Sequence, residues 1–287
     1  MPYPAGGSTD LAGRLIAQQL TLQLGVPVVV ENISGVGGVS GSDQVRRAPP
    51  DGYAIVLGSS ASHSVNMVTL KSNPYDPITD FAPVMLVSKY ANAAFVAASS
   101  SIRTLSDLQA SAKGDRGMAY ATAGPGSSSY LTGELLRWHS KVEMRPVHYK
   151  GIGPAMQDVI AGHVQVGFGD VVALNPHVAS GRLRIVAVGS AKRVPTLPEI
   201  PAVAETYPGF EAVAWQAFYA PKGTPDAIVR RLNAEIVKAL NVPEVRNKLV
   251  SSGADIPASS PEELTAFMKA DIQRWRDLAQ NLKLTFE

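Results

Sequence analysis

The chain has 287 residues, enough for two domains of ordinary size or one large one. Apolar residues make up 45% and charged residues 17%, which provides for a substantial core and excludes charge-driven disorder. Lys and Arg number 26 against 24 Asp and Glu, with no block of one sign to attract nucleic acid or an anionic membrane, and the lack of cysteine removes disulfides, thiol nucleophiles and Cys-based metal sites.

The first predicted element is a helix whose apolar Leu11, Leu15, Ile16 and Leu20 form one stripe. Residues 26–30 read as a buried strand, and 53–57, 83–87 and 94–98 as further β-type runs. Thr104 opens a helix, and residues 118–122 form a strand that stops in Ala123-Gly-Pro-Gly-Ser-Ser-Ser129. An amphipathic helix with Leu131, Leu135 and Trp138 follows. The second half repeats the pattern with strand 145–149, helix 154–161, and strands 164–168 and 183–188. Pro-rich 195–208 interrupts it, 212–220 is extended, and from Pro225 the chain is nearly all helix. Ser260-Pro-Glu-Glu263 supplies an N-cap, an N1 proline and a capping-box glutamate for the last helix.

Strands alternating with helices predict an α/β fold with largely parallel sheets. The expected lobes are residues 1–100 plus 218–287, with the C-terminal helices packing on that first lobe, and residues 101–217. No repeat of 20 to 50 residues supports a solenoid, and no apolar run approaches the roughly 18 residues of a membrane span.

Two segments have the chemistry of an anion seat. In Tyr3-Pro-Ala-Gly-Gly-Ser-Thr-Asp10, the glycines permit close backbone approach and the free N–H groups of the following helix attract negative charge. The alternative is a plain helix entry, with Asp10 a first-turn carboxylate favoured by the helix dipole. Asp10 fits a structural role better, since it would repel a bound anion. The segment at Gly124, Gly126, Ser127 and Ser128 is of the same kind, so two such seats could face each other across a cleft and share one small ligand. Ser60 and His63 lie in a third polar loop, where His63 is either a ligand donor or a cap.

Gly35-Val-Gly-Gly-Val-Ser-Gly41 fails as a dinucleotide motif because its last glycine is displaced and no acidic residue closes the unit. No P-loop, nucleophile elbow or metal-type histidine spacing is present. Tyr149, Lys150 and Asp170 end strands of the second half, so they are either cleft wall or ordinary strand-end polarity.

Tyr3-Pro-Ala-Gly-Gly-Ser-Thr-Asp10, Val28-Val-Val-Glu-Asn32, Pro50-Asp-Gly-Tyr53, Tyr75-Asp-Pro77, Asp80-Phe-Ala-Pro-Val84, the 123–129 loop, Tyr149-Lys-Gly151, Ala191-Lys-Arg193 and Pro201-Ala-Val-Ala-Glu205 stand in one order and spacing. Along its whole length the chain resembles the Bug-type solute-binding proteins, the extracytoplasmic receptors of tripartite tricarboxylate transporters. The resemblance implies a two-lobed type II periplasmic-binding-protein fold that closes on a small carboxylate, held by backbone N–H groups, hydroxyls and ordered waters. The ligand-binding set it indicates is Ala5, Gly6, Gly7, Ser8, Asp10, Ser60, His63, Gly126, Ser127, Ser128, Tyr149, Lys150, Gly151 and Asp170. Tyr130 departs from the family, which often has His after the Ser run, and Gly169-Asp-Val171 replaces the usual Phe-Asp-Asn.

The resemblance also implies a non-enzymatic, cofactor-free, periplasmic monomer. Its partners would be a di- or tricarboxylate, aromatic acid or acidic amino acid and membrane transporter subunits, with no nucleic acid. Two alternatives stand beside it: an enzyme of nucleotide or acyl-group chemistry, which lacks an activated nucleophile or complete phosphate motif, and a ligand-sensing regulatory domain, which lacks a DNA-binding segment. Family members carry an export signal and a first strand before the Tyr-Pro-Ala-Gly-Gly loop. Met1 stands inside that junction, so a shortened N-terminus lacking one strand of the first lobe is expected.

Overall fold

The computed structural model describes residues 1–113 and 117–282. In chain order they form α1 (Ser8–Leu24), α2 (Val39–Arg46), β1 (Val56–Ser59), α3 (Asn66–Thr69), β2 (Phe81–Ala97), α4 (Leu105–Ala112), β3 (Met118–Thr122), α5 (Ser128–Ser140), β4 (Met144–His148), α6 (Ile152–Ile160), β5 (Val166–Asp170), α7 (Val171–Ala179), β6 (Leu183–Val188), β7 (Val213–Pro221), α8 (Asp226–Asn241), α9 (Pro243–Ser251) and α10 (Pro261–Leu282). The chain divides into two compact units. One holds Met1–Lys89, Trp215–Ser251 and the chain from Asp255; the other holds Tyr90–Ala214 and Ser252–Ala254.

In the first unit β1 pairs antiparallel with β7, Val56 opposite Tyr219 and Ser59 opposite Gln216, and β7 has β2 on its other side. Val56, Tyr75, Phe81, Trp215, Tyr219, Leu264 and Met268 build the core. Burying these side chains supplies the main driving force, about 1.5 to 3 kcal/mol for each large one. Trp215 gives its indole N–H to Asp271 Oδ2 at 2.9 Å, so its one polar atom is satisfied inside the core. The C-terminal helices pack here, with α8 against α1 and α9. The α10 capping box forms as the sequence predicts: Ser260 N donates to Glu263 Oε2 at 2.8 Å and Glu263 N to Ser260 Oγ at 3.1 Å.

Two strand expectations in this unit fail. Residues 26–30 are not a strand, and Val29 is 77% exposed. β-type residues form a strand only where a ladder takes up their backbone groups. Here Val28 N bonds the Thr21 hydroxyl instead, and the one strand-like contact lies just beyond the run, where Met1 N donates to Glu31 O and Ile33 N to Met1 O, both 2.8 Å. The strand expected at 53–57 starts only at Val56, because Asp51 Oδ1 accepts from Tyr53 N and shapes a turn that leaves Tyr53 95% exposed.

The 35–41 glycine run, unexplained as a nucleotide motif, makes room for the N-terminus. A Cβ on Gly38 would lie 2.6 Å from the Tyr3 hydroxyl, and one on Gly41 would lie 2.8 Å from Pro2 Cα. The helix α2 that this run opens was not foreseen.

In the second unit β3 pairs parallel with β4 and β5. The C-terminal part of β2 runs antiparallel to β5 and to β6. In this unit β3 is thus parallel to β4 and β5 while β2 is antiparallel to β5 and β6, so the sheet is mixed rather than mostly parallel. The runs 83–87 and 94–98 are one 17-residue strand, β2, which starts in the first unit and ends in the second. Each parallel strand leads into a helix, α5, α6 or α7, so three helix N-termini gather at the carboxyl ends of the strands. Sequence periodicity missed α7, which is short, carries Pro176 and buries Val171, Val172 and Leu174.

Candidate ligand-binding site

The first unit contributes the loop before α1. Ala5 and Gly6 are exposed, Gly6 has φ 89°, and Gly7 is the N-cap in extended conformation with no side-chain cap. Nothing lies within 4 Å of where a Gly7 side chain would begin, so the start of α1 opens onto free space. Ser8 starts the helix half-buried.

Asp10 is spent on the loop rather than on a ligand. Its carboxylate accepts from Gly6 N at 3.1 Å, Arg14 Nε at 2.9 Å and Asn32 Nδ2 at 2.9 Å. Asn32 Nδ2 also reaches Tyr3 O at 3.0 Å, and Arg14 Nη2 reaches Asn32 Oδ1 at 2.9 Å. Burial opposes the Asp10 charge, but the bonds from Arg14, Asn32 and Gly6 outweigh it and hold the carboxyl below the usual carboxylate range.

Ser60 and His63 follow β1. The Tyr3 hydroxyl bonds Ser59 Oγ at 2.5 Å, which ties this turn to the 3–8 loop. Ser60 is buried at the start of the turn. His63 does not fit the expected role of ligand donor. Its ring has no exposed surface, stacks on Tyr219 at 4.1 Å with an 8° interplanar angle, and bonds Ser62 Oγ through Nδ1 at 2.8 Å. Burial pulls its pKa down to about 3, so it is a neutral core side chain.

The second unit contributes the strand ends. Ser127 caps α5: its Oγ accepts from Tyr130 N at 3.2 Å and donates to Gly124 O at 2.6 Å. Ser129 Oγ accepts from Ala123 N at 2.8 Å. Thr122 Oγ1 accepts from Gly124 N at 3.1 Å, so hydroxyls fix the whole loop. Gly126, at φ 68°, lets the loop turn into the helix, and the Ser128 backbone N–H sits in the uncapped part of the first turn. Tyr130, the departure from the family pattern, packs edge-on against His148 at 5.3 Å.

Tyr149 N bonds Thr122 O at 3.0 Å, which brings the end of β4 beside the α5 loop. The Tyr149 hydroxyl turns to Asp158 Oδ2 at 2.5 Å, and burial together with that bond pushes the phenol up to about 12. Lys150 is exposed, and Gly151, φ 125°, opens α6 without a side-chain cap. Asp170 caps α7 through Ala173 N at 2.8 Å, so its carboxylate serves that helix.

Arg14 and Asn32, which hold Asp10, were not singled out from the sequence. Arg14 stands four residues after Asp10, a helix-face pairing signal that was available. Asn32 gives no such signal, because only the fold brings it to Asp10.

Residues 12–284 match the model of the tripartite tricarboxylate transporter family receptor, TctC. BugT of Bordetella pertussis is 35% identical over 96% of this chain and 85% of its own length. A Rhodopseudomonas palustris protein, Rpa4515, solved with adipate, has TM-score 0.95 at 33% identity, covering 100% of this chain and 96% of its own. The periplasmic binding protein BugD has TM-score 0.92 at 33% identity, over 100% and 97% of the two chains. MatC of R. palustris, solved with malate, has TM-score 0.89 at 32% identity, over 96% of each chain. These likenesses span both units, and among the described residues no helix is long and apolar enough to cross a membrane. The chain belongs to the tripartite tricarboxylate transporter receptor family, as a Bug-type solute-binding receptor and not an enzyme.

Proposed function

We propose that this receptor binds a small carboxylate in the periplasm and hands it, as a monomer, to the membrane subunits of its transporter. The carrying observation is the gathering of the α5, α6 and α7 N-termini at the carboxyl ends of β3, β4 and β5. Helix N-termini offer N–H groups and positive potential without a charged side chain, which suits a carboxylate group. The α1 start in the first unit offers the same chemistry. In this reading the first unit offers Ala5, Gly6, Gly7 and Ser8, and the second offers Gly126, Ser128, Gly151 and their neighbours, with Ser127 holding the loop that presents them. The malate and adipate held by two relatives are dicarboxylates, which supports that class here.

Hydrogen bonds to a charged group contribute about 1.5 to 3 kcal/mol each, so four or five strong ones, less an association cost at the lower end of about 4 to 15 kcal/mol, reach the roughly 8 kcal/mol of a 1 μM complex. The test is a thermal-shift screen with malate, succinate, adipate, citrate, glutamate and benzoate, each beside its uncharged amide. Stabilisation by one or more acids and by none of the amides is expected. Equal stabilisation by amides, or none by any acid, overturns the reading. Light scattering on the purified protein checks the monomer.

A further inference from the structure

We propose that Asn92 is a specificity-determining residue of the second unit's seat, donating its carboxamide N–H to the bound carboxylate. The proposal rests on the carboxylate reading above. Asn92 is 2% exposed in β2, a polar side chain set among Ala91, Ala93, Ala94 and Phe95. The strand does not need that side chain, since the Asn92 backbone N donates to Ala212 O at 3.0 Å and its O accepts from Gly189 N at 2.6 Å.

The carboxamide oxygen faces Ser128 Oγ, 3.5 Å away in the first turn of α5. Nδ2 has no hydrogen-bond partner among the described residues. Asn92 Nδ2 is not among the buried polar atoms that lack a partner, so this otherwise buried side chain keeps its free amide donor at an accessible point, where an incoming acceptor can take it up. Asn92 also stands directly opposite Asp170 in the β2–β5 ladder. Directly opposed residues share a face of the sheet, so Asn92 lies beside the end of β5 as well as the start of α5.

With its oxygen turned to the Ser128 hydroxyl, Asn92 presents donors only. It therefore favours an acceptor such as a carboxylate oxygen and disfavours an ammonium group, which brings donors only. The α5 N-terminus alone attracts any anion; the fixed carboxamide adds a direction and a donor count.

Calorimetry of wild type, Asn92→Ala and Asn92→Asp against malate, succinate, adipate, citrate, glutamate and benzoate tests the proposal. Alongside it, the Asn92 side-chain NH2 signal of 15N-labelled wild type is followed through the same titrations and assigned by its loss in Asn92→Asp. The carboxylate that binds wild type is expected to shift that signal. Its Kd should rise about tenfold in Asn92→Ala and about 100-fold in Asn92→Asp, where a donor becomes a repelling acceptor. Kd within twofold of wild type in both variants overturns the Asn92 role and leaves the carboxylate reading intact. If no carboxylate binds wild type, both fall. Should a variant fail to fold, an unshifted wild-type NH2 signal at saturation overturns the Asn92 role by itself.

Discussion

The loops before α1 and α5 share a pattern of glycines followed by hydroxyl residues at a helix start, yet they are held in opposite ways. The first is anchored by side chains outside it, two of them ionised: Asp10 grips Gly6 N while Arg14 and the neutral Asn32 grip Asp10. Its helix starts on Gly7 with no side-chain cap. The second is anchored by its own neutral hydroxyls, with Ser127 spent as the cap and Thr122 and Ser129 bonding the loop backbone. One arrangement leaves a helix start uncapped and depends on a carboxylate staying ionised. The other fills its cap and offers a ligand mainly the backbone N–H groups beyond it. Similar sequence patterns can thus conceal different donors and different sensitivities.

Acid should expose the largest difference. The first unit buries the neutral His63, with a pKa of about 3 against 6.5 for an ordinary histidine. As pH falls below about 6.5 the unfolded chain takes up that proton and the folded chain does not. The His63 contribution is complete above pH 6.5 and is lost toward pH 3 at about 1.4 kcal/mol per pH unit. His139, His148 and His177 shift in the same direction by burial, but they are less buried. Urea melts of wild type and His63→Phe from pH 7 to 4 should converge in slope only if this assignment is wrong; the variant is expected to be much flatter.

Gly7→Val should have the next largest effect. Gly7 has φ −90° and ψ 176°, which valine tolerates, and the space before it is open. The fold should keep its melting temperature while carboxylate affinity drops about 100-fold, because the new side chain fills the approach to α1. Unchanged affinity would remove the first loop from the site.

Asp10→Asn sharpens the comparison further. It weakens the grip on Gly6 N and Arg14, with an expected stability loss of about 1 to 3 kcal/mol and a tenfold weaker carboxylate. Thermal melts and calorimetry on the same samples separate the two effects.

Ser127→Ala should do least: about 1 kcal/mol of stability for the lost cap, with affinity down no more than about fivefold and Ser127→Thr restoring both. If it costs more affinity than Gly7→Val, the hydroxyl touches the ligand and the contrast between the loops fails.

What could be read in the sequence was whatever depends on neighbours along the chain. β3 and β6 fall where the apolar runs lie, and the Thr104 and Ser260 caps form as their spacing demands. Residues 26–30 failed because strand formation depends on a partner strand that local composition does not reveal. The glycines and hydroxyls of both loops were legible because helix-start chemistry is local. His63 was misjudged because a polar loop sequence says nothing of the Tyr219 ring that covers it. Asn32 meets Asp10 from 22 residues away, and no spacing rule reaches that far.

A structure with the tightest-binding carboxylate tests the central claim most directly. The account predicts ligand carboxylate oxygens within hydrogen-bond distance of backbone N–H groups in the first turns of α1 and α5. A ligand held elsewhere, or held by charged side chains with both helix starts in water, would contradict it.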